Sequence, residues 1–395
     1  MISDGNALML SLLGDVLHNR KPRKLSSEQW HGILKELRAQ AVDSLPAEFI
    51  DELGLSEEDQ MQYIQIIAKN CQFFHTLMIE QEKAFSVLES ENIRAVAVKG
   101  AAAAVYYDCP ENRSMGDIDI LVLPQDFEKA YNALLGAGYK TDEALEDLQR
   151  HIGFSAENGV KIELHYYFSS VRDEEQKRAL DDALFRAIPF REKIELCGYG
   201  VYMLPPLENG LVLLQHINQH MSAGLGLRQI IDWMYYVERV LDDDLWENGF
   251  SQKAEEIGLK RFAMLVTAMC RKYLGLEKKI TWCPYEPVCD EMMEYILNRG
   301  NFGRKIKQSK SKTVIILKLL KNPAYAFSTA QSCGLYNWKA TKKYKILRPF
   351  AWIYQLGRWA NHGIKYGVTP KIMSDAASSA KEETEFMKKI GVTRI

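Results

Sequence analysis

Hydrophobic residues follow two different periods along the 395 residues of this chain, and the change of period divides the sequence. Up to about residue 90, apolar side chains recur every three or four positions, which predicts amphipathic helices. Ser26 and Gln29 have the spacing of a helix capping box. Further on, the apolar residues from Met61 to Met78 predict one buried stripe on a long helix. We therefore expect residues 1–90 to form a helical segment that supports the rest of the chain.

Short alternating segments replace the helical period between residues 91 and 205, which indicates strands mixed with helices. Asn158 and Gly159 separate two of these segments, and an Asn-Gly pair in such a position is a strong hairpin signal. After Pro205 and Pro206 the helical period returns. The segments predicted as strands are residues 93–98, 117–122, 151–156 and 161–167. The sequence thus predicts an α+β fold with a helical segment at 1–90, an α/β core at 91–205, a helical domain at 206–300 and a basic helical segment at 301–395.

The distribution of charge sets the C-terminal segment apart. The net charge of -2 is small, but residues 295–374 contain no Asp or Glu and hold 16 of the 50 Lys and Arg residues. The rest of the chain therefore has 34 basic residues against all 52 acidic ones. Aromatic residues are interleaved with the basic ones, a combination that binds polyanions such as RNA or an anionic membrane surface. We expect residues 300–360 to do so, or alternatively to dock against the acidic remainder of the chain.

The cysteines and the apolar content indicate the cellular compartment of the protein. The seven cysteines are scattered and include no C-x-x-C pair, so we expect reduced thiols and no zinc site. The N-terminus lacks the basic and apolar regions of a signal peptide. No stretch of the sequence approaches the roughly 18 apolar residues that a membrane-spanning helix needs. These features predict a cytoplasmic protein, and its 47% hydrophobic and 26% charged residues are typical of globular domains.

Asp117 and Asp119 are the clearest candidates for chemistry. They stand two positions apart at the start of an apolar run, so in a strand both carboxylates lie on one face. Two like charges at this spacing repel unless a cation lies between them, and Mg2+ or Mn2+ prefers carboxylate oxygens. Glu163 adds a third carboxylate on the second strand of the predicted hairpin, where it shares a face with Lys161 and His165. The alternative is a strand edge with two solvated aspartates.

The turn formed by Lys99, Gly100 and Ala101 suits phosphate binding. It joins a predicted strand to an Ala-rich helix start, an arrangement that leaves backbone N–H groups free for a phosphate. The ammonium of Lys99 adds a positive charge there. The alternative is a plain strand-to-helix turn whose small residues pack against the sheet.

Two pairs of polar residues have helical spacing after residue 206. His216 and His220 are four residues apart but lack the internal Glu of the zinc-protease motif, so we expect core or ligand-facing histidines rather than zinc ligands. Arg228 and Asp232 are also four apart, which predicts a salt bridge within one helix.

Four short blocks occur together in this sequence: V-K-G-A-A at 98–102, R-S-M-G-D-I-D-I-L-V at 113–122, I-E-L-H-Y at 162–166, and H-x3-H with G-L-R-x3-D at 216–232. Their combination resembles the polymerase-β-type nucleotidyltransferase superfamily and, more closely, the uncharacterised nucleotidyltransferase family (nucleotidyltransferase family 5). The resemblance covers residues 90–260. It implies a small mixed β-sheet core flanked by N-terminal helices and a C-terminal helical domain. Two positions depart from the superfamily: Lys99-Gly100-Ala101 replaces the usual Gly-Ser or Gly-Gly, and Glu163 stands where a third Asp is frequent.

The resemblance implies transfer of a nucleoside monophosphate from an NTP, such as ATP, to a hydroxyl of a small molecule, sugar or peptide. Two Mg2+ or Mn2+ ions held by carboxylates can clamp the attacking and the leaving oxygen of such a reaction. A non-catalytic module of the same fold that binds nucleotides or anions is the alternative function. The matching residues then have implied roles: Asp117, Asp119 and Glu163 bind metal and are catalytic, and the nucleotide is bound or supported by Lys99, Gly100, Ala101, Arg113, His165, Arg228 and Asp232.

Overall fold

One mixed β-sheet organises the structure, a computed structural model that describes residues 2–143, 145, 150–169, 173–305, 323–365 and 381–392. The strands are β1 (Ala95–Val98), β2 (Ile118–Val122), β3 (His151–Ser155), β4 (Lys161–His165), β5 (Glu192–Leu196) and β6 (Tyr199–Met203). Their spatial order is β3-β4-β2-β1-β6-β5. The pairs β2–β4 and β1–β6 are parallel, and the other neighbours are antiparallel. This arrangement confirms the predicted α+β fold with a mixed sheet.

Helices precede, connect and follow the strands. The predicted capping box is formed, because Ser26 and Gln29 each accept a hydrogen bond from the backbone N–H of the other. Among the described residues, no helix combines the length and the apolar content needed to cross a membrane. The helices are α1 (Asp4–Val16), α2 (Ser27–Gln40), α3 (Glu57–Ser90), α4 (Gly100–Ala104), α5 (Phe127–Gly136), α6 (Glu174–Ala187), α7 (Pro206–Gly224), α8 (Leu227–Arg239), α9 (Asp243–Leu245), α10 (Ser251–Glu256), α11 (Lys260–Leu274) and α12 (Val288–Arg299).

The two central strands, β1 and β2, are buried along their whole length. Their residues are Val, Ile, Leu and Ala except for Asp119, and such residues suit a pleated surface that is covered on both faces. Ile118 and Ile120 lie in the core as predicted. The strand that carries Asp119 is therefore fixed by packing on both sides.

Two hairpins complete the sheet, and the sequence predicts one of them. β3 and β4 are joined through Asn158 and Gly159, with Gly159 at a φ of 84°, so that hairpin is confirmed. β5 and β6 are joined through Cys197 and Gly198, which both have positive φ. The second hairpin is not expected from the sequence, because β5 is an edge strand in which all three charged residues are exposed. Its apolar alternation is correspondingly weak.

The buried stripe predicted for α3 is wrong in its first half. Met61 is 60% exposed and Ile64 is 47% exposed, whereas Met78 is buried. The buried face at this end contains Tyr63 instead, whose ring centroid lies 4.8 Å from that of Trp30 in α2. Packing against α2 therefore decides which face of the helix is covered.

The chain divides into two compact units, one of residues 1–304 with 390–395 and one of residues 305–389. In the smaller unit the structure describes α13 (Pro323–Asn337), α14 (Ala340–Lys343) and α15 (Ala351–Lys365), and the ring of Trp338 stacks on Tyr354. The four-part division of the sequence and the anionic partner of residues 300–360 stay predictions. Part of that basic segment lies outside the described residues, namely Lys307, Lys310, Lys312, Lys318 and Lys321.

Candidate active site

Asp119 on β2 and Glu163 on β4 lie side by side in the sheet. The two strands run parallel, and their register pairs Asp119 directly with Glu163. Asp117 stands immediately before β2, two residues from Asp119 and on the same face. All three residues border one cleft. The structure therefore brings together the three carboxylates that the sequence singles out.

Lys99, the residue that follows β1, forms an ion pair with the innermost of these carboxylates. Its Nζ lies 2.6 Å from Oδ1 of Asp119, and the two side chains are 12% and 4% exposed. Because Val98 is opposite Asp119 in the antiparallel β1–β2 pair, the next residue arrives beside the carboxylate. The backbone of Lys99 has a φ of 62° and a ψ of -132°, a conformation that strains any residue except Gly. Strain of this kind clusters at functional sites.

The surrounding charges shift the pKa values of the two aspartates in opposite directions. Asp117 is exposed to solvent, but partial desolvation by the surrounding protein raises its pKa to about 6, and the negative charge of Asp119 adds to the effect. Burial acts in the same sense on Asp119, but the charge of Lys99 and the hydrogen bond from His165 outweigh it and hold the pKa of Asp119 well below its ordinary value. Asp117 is therefore the carboxyl group whose ionisation gains most from a nearby cation.

Two histidines flank Glu163. Nε2 of His165 lies 3.3 Å from Oε2 of Glu163 and 2.9 Å from Oδ1 of Asp119. His151 on β3 is opposite His165 in the hairpin, and its Nε2 lies 3.7 Å from Oε1 of Glu163. Although burial opposes it, the hydrogen bond from His165 lowers the pKa of Glu163, so this carboxyl is ionised at neutral pH. The ligand atoms of His151, Glu163 and His165 lie within 4.8 Å of one another.

Basic residues border the same cleft and suit phosphate oxygens. Arg228 on α8 donates from Nη1 to the carbonyl oxygen of Ser114 at 2.9 Å, and its buried Nε has no hydrogen-bond acceptor among the described residues. Burial lowers the pKa of the Arg150 and Arg228 guanidinium groups, so an anion placed beside them relieves an unfavourable burial of charge. Gly100 also borders the cleft, whereas Ala101 is buried and is not among the described residues that line it.

The predicted salt bridge between Arg228 and Asp232 is wrong, because Asp232 binds Arg113. Nε and Nη2 of Arg113 lie 2.7 and 2.8 Å from the two carboxylate oxygens of Asp232, and both side chains are 2% exposed. The hydroxyl of Tyr107 donates to the same carboxylate at 2.8 Å. A bidentate guanidinium–carboxylate pair is the stronger geometry, which explains why the distant partner prevails over the local one. Asp232 thus lies behind the cleft and fixes Arg113, which borders it.

Several residues that border the cleft are not among the predicted site residues. Arg150 and His151 do carry a signal, since they stand at the start of a strand that pairs with the one bearing Glu163. His216 and His220, which the sequence predicts as core or ligand-facing histidines, both border the cleft, and burial holds the pKa of His216 well below its ordinary value. Residues that no local pattern indicates also line it, namely Phe168, Gln219 and Phe302.

The donor atoms fit a divalent cation. Oδ1 of Asp119 is engaged by Lys99 and His165, but no described residue donates a hydrogen bond to its second oxygen, Oδ2. Asp117 likewise has no hydrogen bond or ion pair within the described part of the chain. Carboxylate oxygens suit Mg2+ and Mn2+, and the imidazole nitrogens beside Glu163 are also compatible with Mn2+. Asp117, Asp119 and Glu163 would hold such an ion.

A family model described as "uncharacterised nucleotidyltransferase" matches residues 26–275, more than half of the chain. The chain belongs to this family. No curated protein matches the chain. Among solved structures, an antigenic nucleotidyltransferase-like protein from Paracoccidioides brasiliensis is similar, with 18% sequence identity, a TM-score of 0.35, and coverage of 53% of this chain and 93% of that one.

Membership of the nucleotidyltransferase family confirms the resemblance predicted from the four sequence blocks. The matched range contains the whole sheet and every predicted site residue, and it ends before Phe302. It supports a general role in nucleotidyl transfer. The individual roles of the cleft residues stay predictions.

Proposed function

We propose that this nucleotidyltransferase moves a nucleoside monophosphate from an NTP, such as ATP, to a hydroxyl of a small molecule, sugar or peptide, with Mg2+ or Mn2+ as cofactor. The observation that carries the proposal is the parallel register that sets Asp119 beside Glu163, with Asp117 at the same cleft. Three converging carboxylates suit the divalent ions that phosphoryl-transfer reactions require. The family match supports the general class of reaction.

The reaction step follows from the groups around the carboxylates. The acceptor oxygen attacks the α-phosphorus of the NTP, the bond from that phosphorus to the β-phosphate oxygen breaks, and pyrophosphate leaves. Glu163 takes the proton of the acceptor hydroxyl, because its lowered pKa keeps it ionised and His151 and His165 lie beside it. A bound divalent ion supplies charge that offsets the negative charge of the phosphates.

Lys99, Arg150 and Arg228 supply the fixed positive charge for the triphosphate. All three border the cleft and are half-buried, so water screens their interaction with phosphate less than at an exposed site. Asp119 would help to hold a divalent ion, whose charge would balance this carboxylate. The ammonium of Lys99 would then be available to the phosphates.

The same ion pair favours the alternative, a non-catalytic module that binds nucleotides or anions. Lys99 already neutralises Asp119, so the cleft can accept an anion through Arg150 and Arg228 without any metal. The two functions differ in whether a bond to the α-phosphorus is broken.

Transfer of radiolabel from each α-labelled NTP into components of a cell extract tests the proposal. We expect wild type to label an acceptor with Mg2+ or Mn2+, and Asp117→Ala and Asp119→Ala to lose about 100-fold or more of this activity, the scale for removing a group that stabilises the transition state. Asp126→Ala is the matched control, since it removes an acid just beyond the other end of β2.

The outcomes separate the two functions. Binding of nucleotide by wild type without transfer to any component, at every metal tested, identifies the binding module. Full activity of both aspartate variants, with an unchanged circular dichroism spectrum, contradicts the proposed enzyme.

A further inference from the structure

A second group of metal-binding side chains lies away from the cleft. It consists of Cys71 and His75 on α3 and Glu111 in a short 3-10 helix, Pro110–Asn112. The sulfur, nitrogen and oxygen atoms of the three residues lie within 4.8 Å of one another. None of the three is among the described residues that border the cleft.

Helix geometry brings the first two ligands together. Cys71 and His75 are four residues apart, so their side chains share one face of α3. The 3-10 helix packs against α3, which places Oε1 of Glu111 3.6 Å from Nε2 of His75. All three side chains are partly exposed, which gives an ion access from solvent.

The ring of His75 is held as metal-binding imidazoles usually are. Its Nδ1 lies 3.2 Å from the hydroxyl of Tyr199 on β6. This oxygen can accept a hydrogen bond from Nδ1–H, which leaves the lone pair of Nε2 directed at the cluster. A second hydrogen bond of this kind fixes ring orientation and tautomer in metal sites.

Two more thiols surround Glu111. Sγ of Cys109 lies 3.7 Å from Oε2 of Glu111. Cys197 is in the β5–β6 turn, and burial together with the charge and hydrogen bonding of Glu111 raises the pKa of its thiol. The charge of Cys71 also contributes to that shift, so Cys197 lies near both residues. Three separate segments of the larger unit thus direct thiol, imidazole and carboxylate groups to one place.

The charge balance of this cluster calls for a cation. Within the described residues Glu111 forms no ion pair with a Lys or Arg, and its one basic partner is His75. Sulfur and nitrogen donors favour zinc over Mg2+, which prefers oxygen. In a tetrahedral zinc site the ligand atoms are roughly 3.3–3.8 Å apart, so these partly exposed side chains need to close by only about 1 Å.

We propose that Cys71, His75 and Glu111 bind a structural Zn2+ ion, with the thiol of Cys109 or Cys197 as the fourth ligand. The ion joins α3 to the segment that runs through Arg113 to Asp117. It therefore helps to fix the segment that leads into β2, to which the Arg113–Asp232 pair also belongs. The absence of a C-x-x-C pair, from which the sequence predicts no zinc site, is compatible with ligands that come from separate segments of the chain.

Metal analysis of the full chain, purified under reducing conditions without chelators, tests this site. We expect about one equivalent of Zn2+ in wild type, as for a structural site that folds around its ion. Cys71→Ser and His75→Ala should lose it, whereas Cys333→Ser, which removes a thiol of the smaller unit, should keep it. Comparison of Cys109→Ser with Cys197→Ser identifies the fourth ligand.

Two further measurements keep the test decisive. Cobalt added to the chelated wild-type chain should give a thiolate-to-metal absorption band, and this result does not depend on any variant folding. Asp117→Asn should retain the zinc, because its carboxylate belongs to the other site. Reduced wild type without zinc and without a cobalt band overturns the proposal, as does unchanged zinc in Cys71→Ser. A disulfide between Cys71 and Cys197, in a chain that binds no zinc after reduction, overturns it in favour of a redox pair.

Discussion

The ammonium of Lys99 and the carboxylate of Asp119 are 2.6 Å apart at the buried end of the cleft. Lys99 reaches this position with a backbone conformation that normally requires glycine. Two unfavourable features, a strained backbone and a buried charge, thus coincide at one residue. Their combination at the carboxylates distinguishes this site from a strand edge with solvated aspartates.

Replacement of Lys99 separates the backbone strain from the ion pair. Lys99→Ala and Lys99→Gly both leave Asp119 buried with His165 as its remaining partner. We expect each substitution to lower the free energy of unfolding by at most about 3–5 kcal/mol. Glycine also removes the strain, so we expect Lys99→Gly to be more stable than Lys99→Ala by about 1 kcal/mol. Urea unfolding in the presence of EDTA measures the difference.

Asn92 provides the control for this comparison, because it also has a positive φ, 57°, and is exposed. Asn tolerates that conformation, and its replacement removes no charge. The stability difference between Asn92→Ala and Asn92→Gly should therefore lack any contribution from a lost charge. Equal stability of the two Lys99 variants would show that the backbone at this position is not strained.

The raised pKa of Asp117 predicts how the stability of the protein depends on pH. Its pKa in the folded chain, about 6, is higher than its ordinary value of 3.8, so the folded state holds this proton more tightly than the unfolded state. The associated stabilisation is present below about pH 4 and is lost as the pH rises through about 6. We therefore expect Asp117→Asn to gain thermal stability relative to wild type over this window in EDTA. A melting-temperature difference that stays constant across the window would contradict the raised pKa.

The buried pair of Arg113 and Asp232 should be far more sensitive than an exposed pair of the same geometry. Asp232→Asn leaves the guanidinium buried with an uncompensated charge, and we expect a loss of about 3–5 kcal/mol in the free energy of unfolding. Arg261 and Glu286 form the matched exposed pair, also with two hydrogen bonds. Glu286→Gln should cost less than about 1 kcal/mol. Similar losses in the two variants would contradict a supporting role for Asp232.

The basic segment predicts binding to an anionic surface. In the smaller unit, Ile346 and Phe350 are exposed next to Lys345, which combines apolar contact with positive charge. We expect the double substitution K343E/K345E to weaken binding to phosphatidylserine vesicles at least about tenfold, since each basic residue contributes about 1 kcal/mol near such a surface. Vesicle co-sedimentation measures the change.

The control for vesicle binding is K21E/K35E, which makes the same change in charge at exposed positions of the larger unit. Wild-type binding should also weaken as the salt concentration rises. Binding to RNA but not to vesicles would assign the segment to a nucleic acid, and binding to neither would leave the basic residues without an external partner.

Much of the site follows from local patterns, and the failures have physical causes. The alternation around Asp117 and Asp119 predicts their strand, and the turn at Asn158 predicts the hairpin that carries Glu163. The parallel pairing of β2 with β4, which brings the three carboxylates together, joins segments far apart in sequence and has no local signal. The pairing of Arg113 with Asp232 cannot be predicted either, because it joins residues far apart in sequence and competes with a local helical partner. The prediction of the buried face of α3 fails for a related reason, since packing against α2 decides which face is covered.

The two residues that turn β3 into β4 lead directly into the strand that carries Glu163 beside Asp119. Because successive side chains on a strand face opposite sides, a single inserted residue at Asn158 that shifted β4 by one position would turn Glu163 into the hydrophobic interior. Leu164 or Ile162 would then occupy its place beside the aspartates. The length of this turn therefore affects which side chain of β4 stands beside the aspartates, although Asn158 and Gly159 are not among the described residues that line the cleft. We expect natural insertions and deletions to be rarer in this turn than in the other loops.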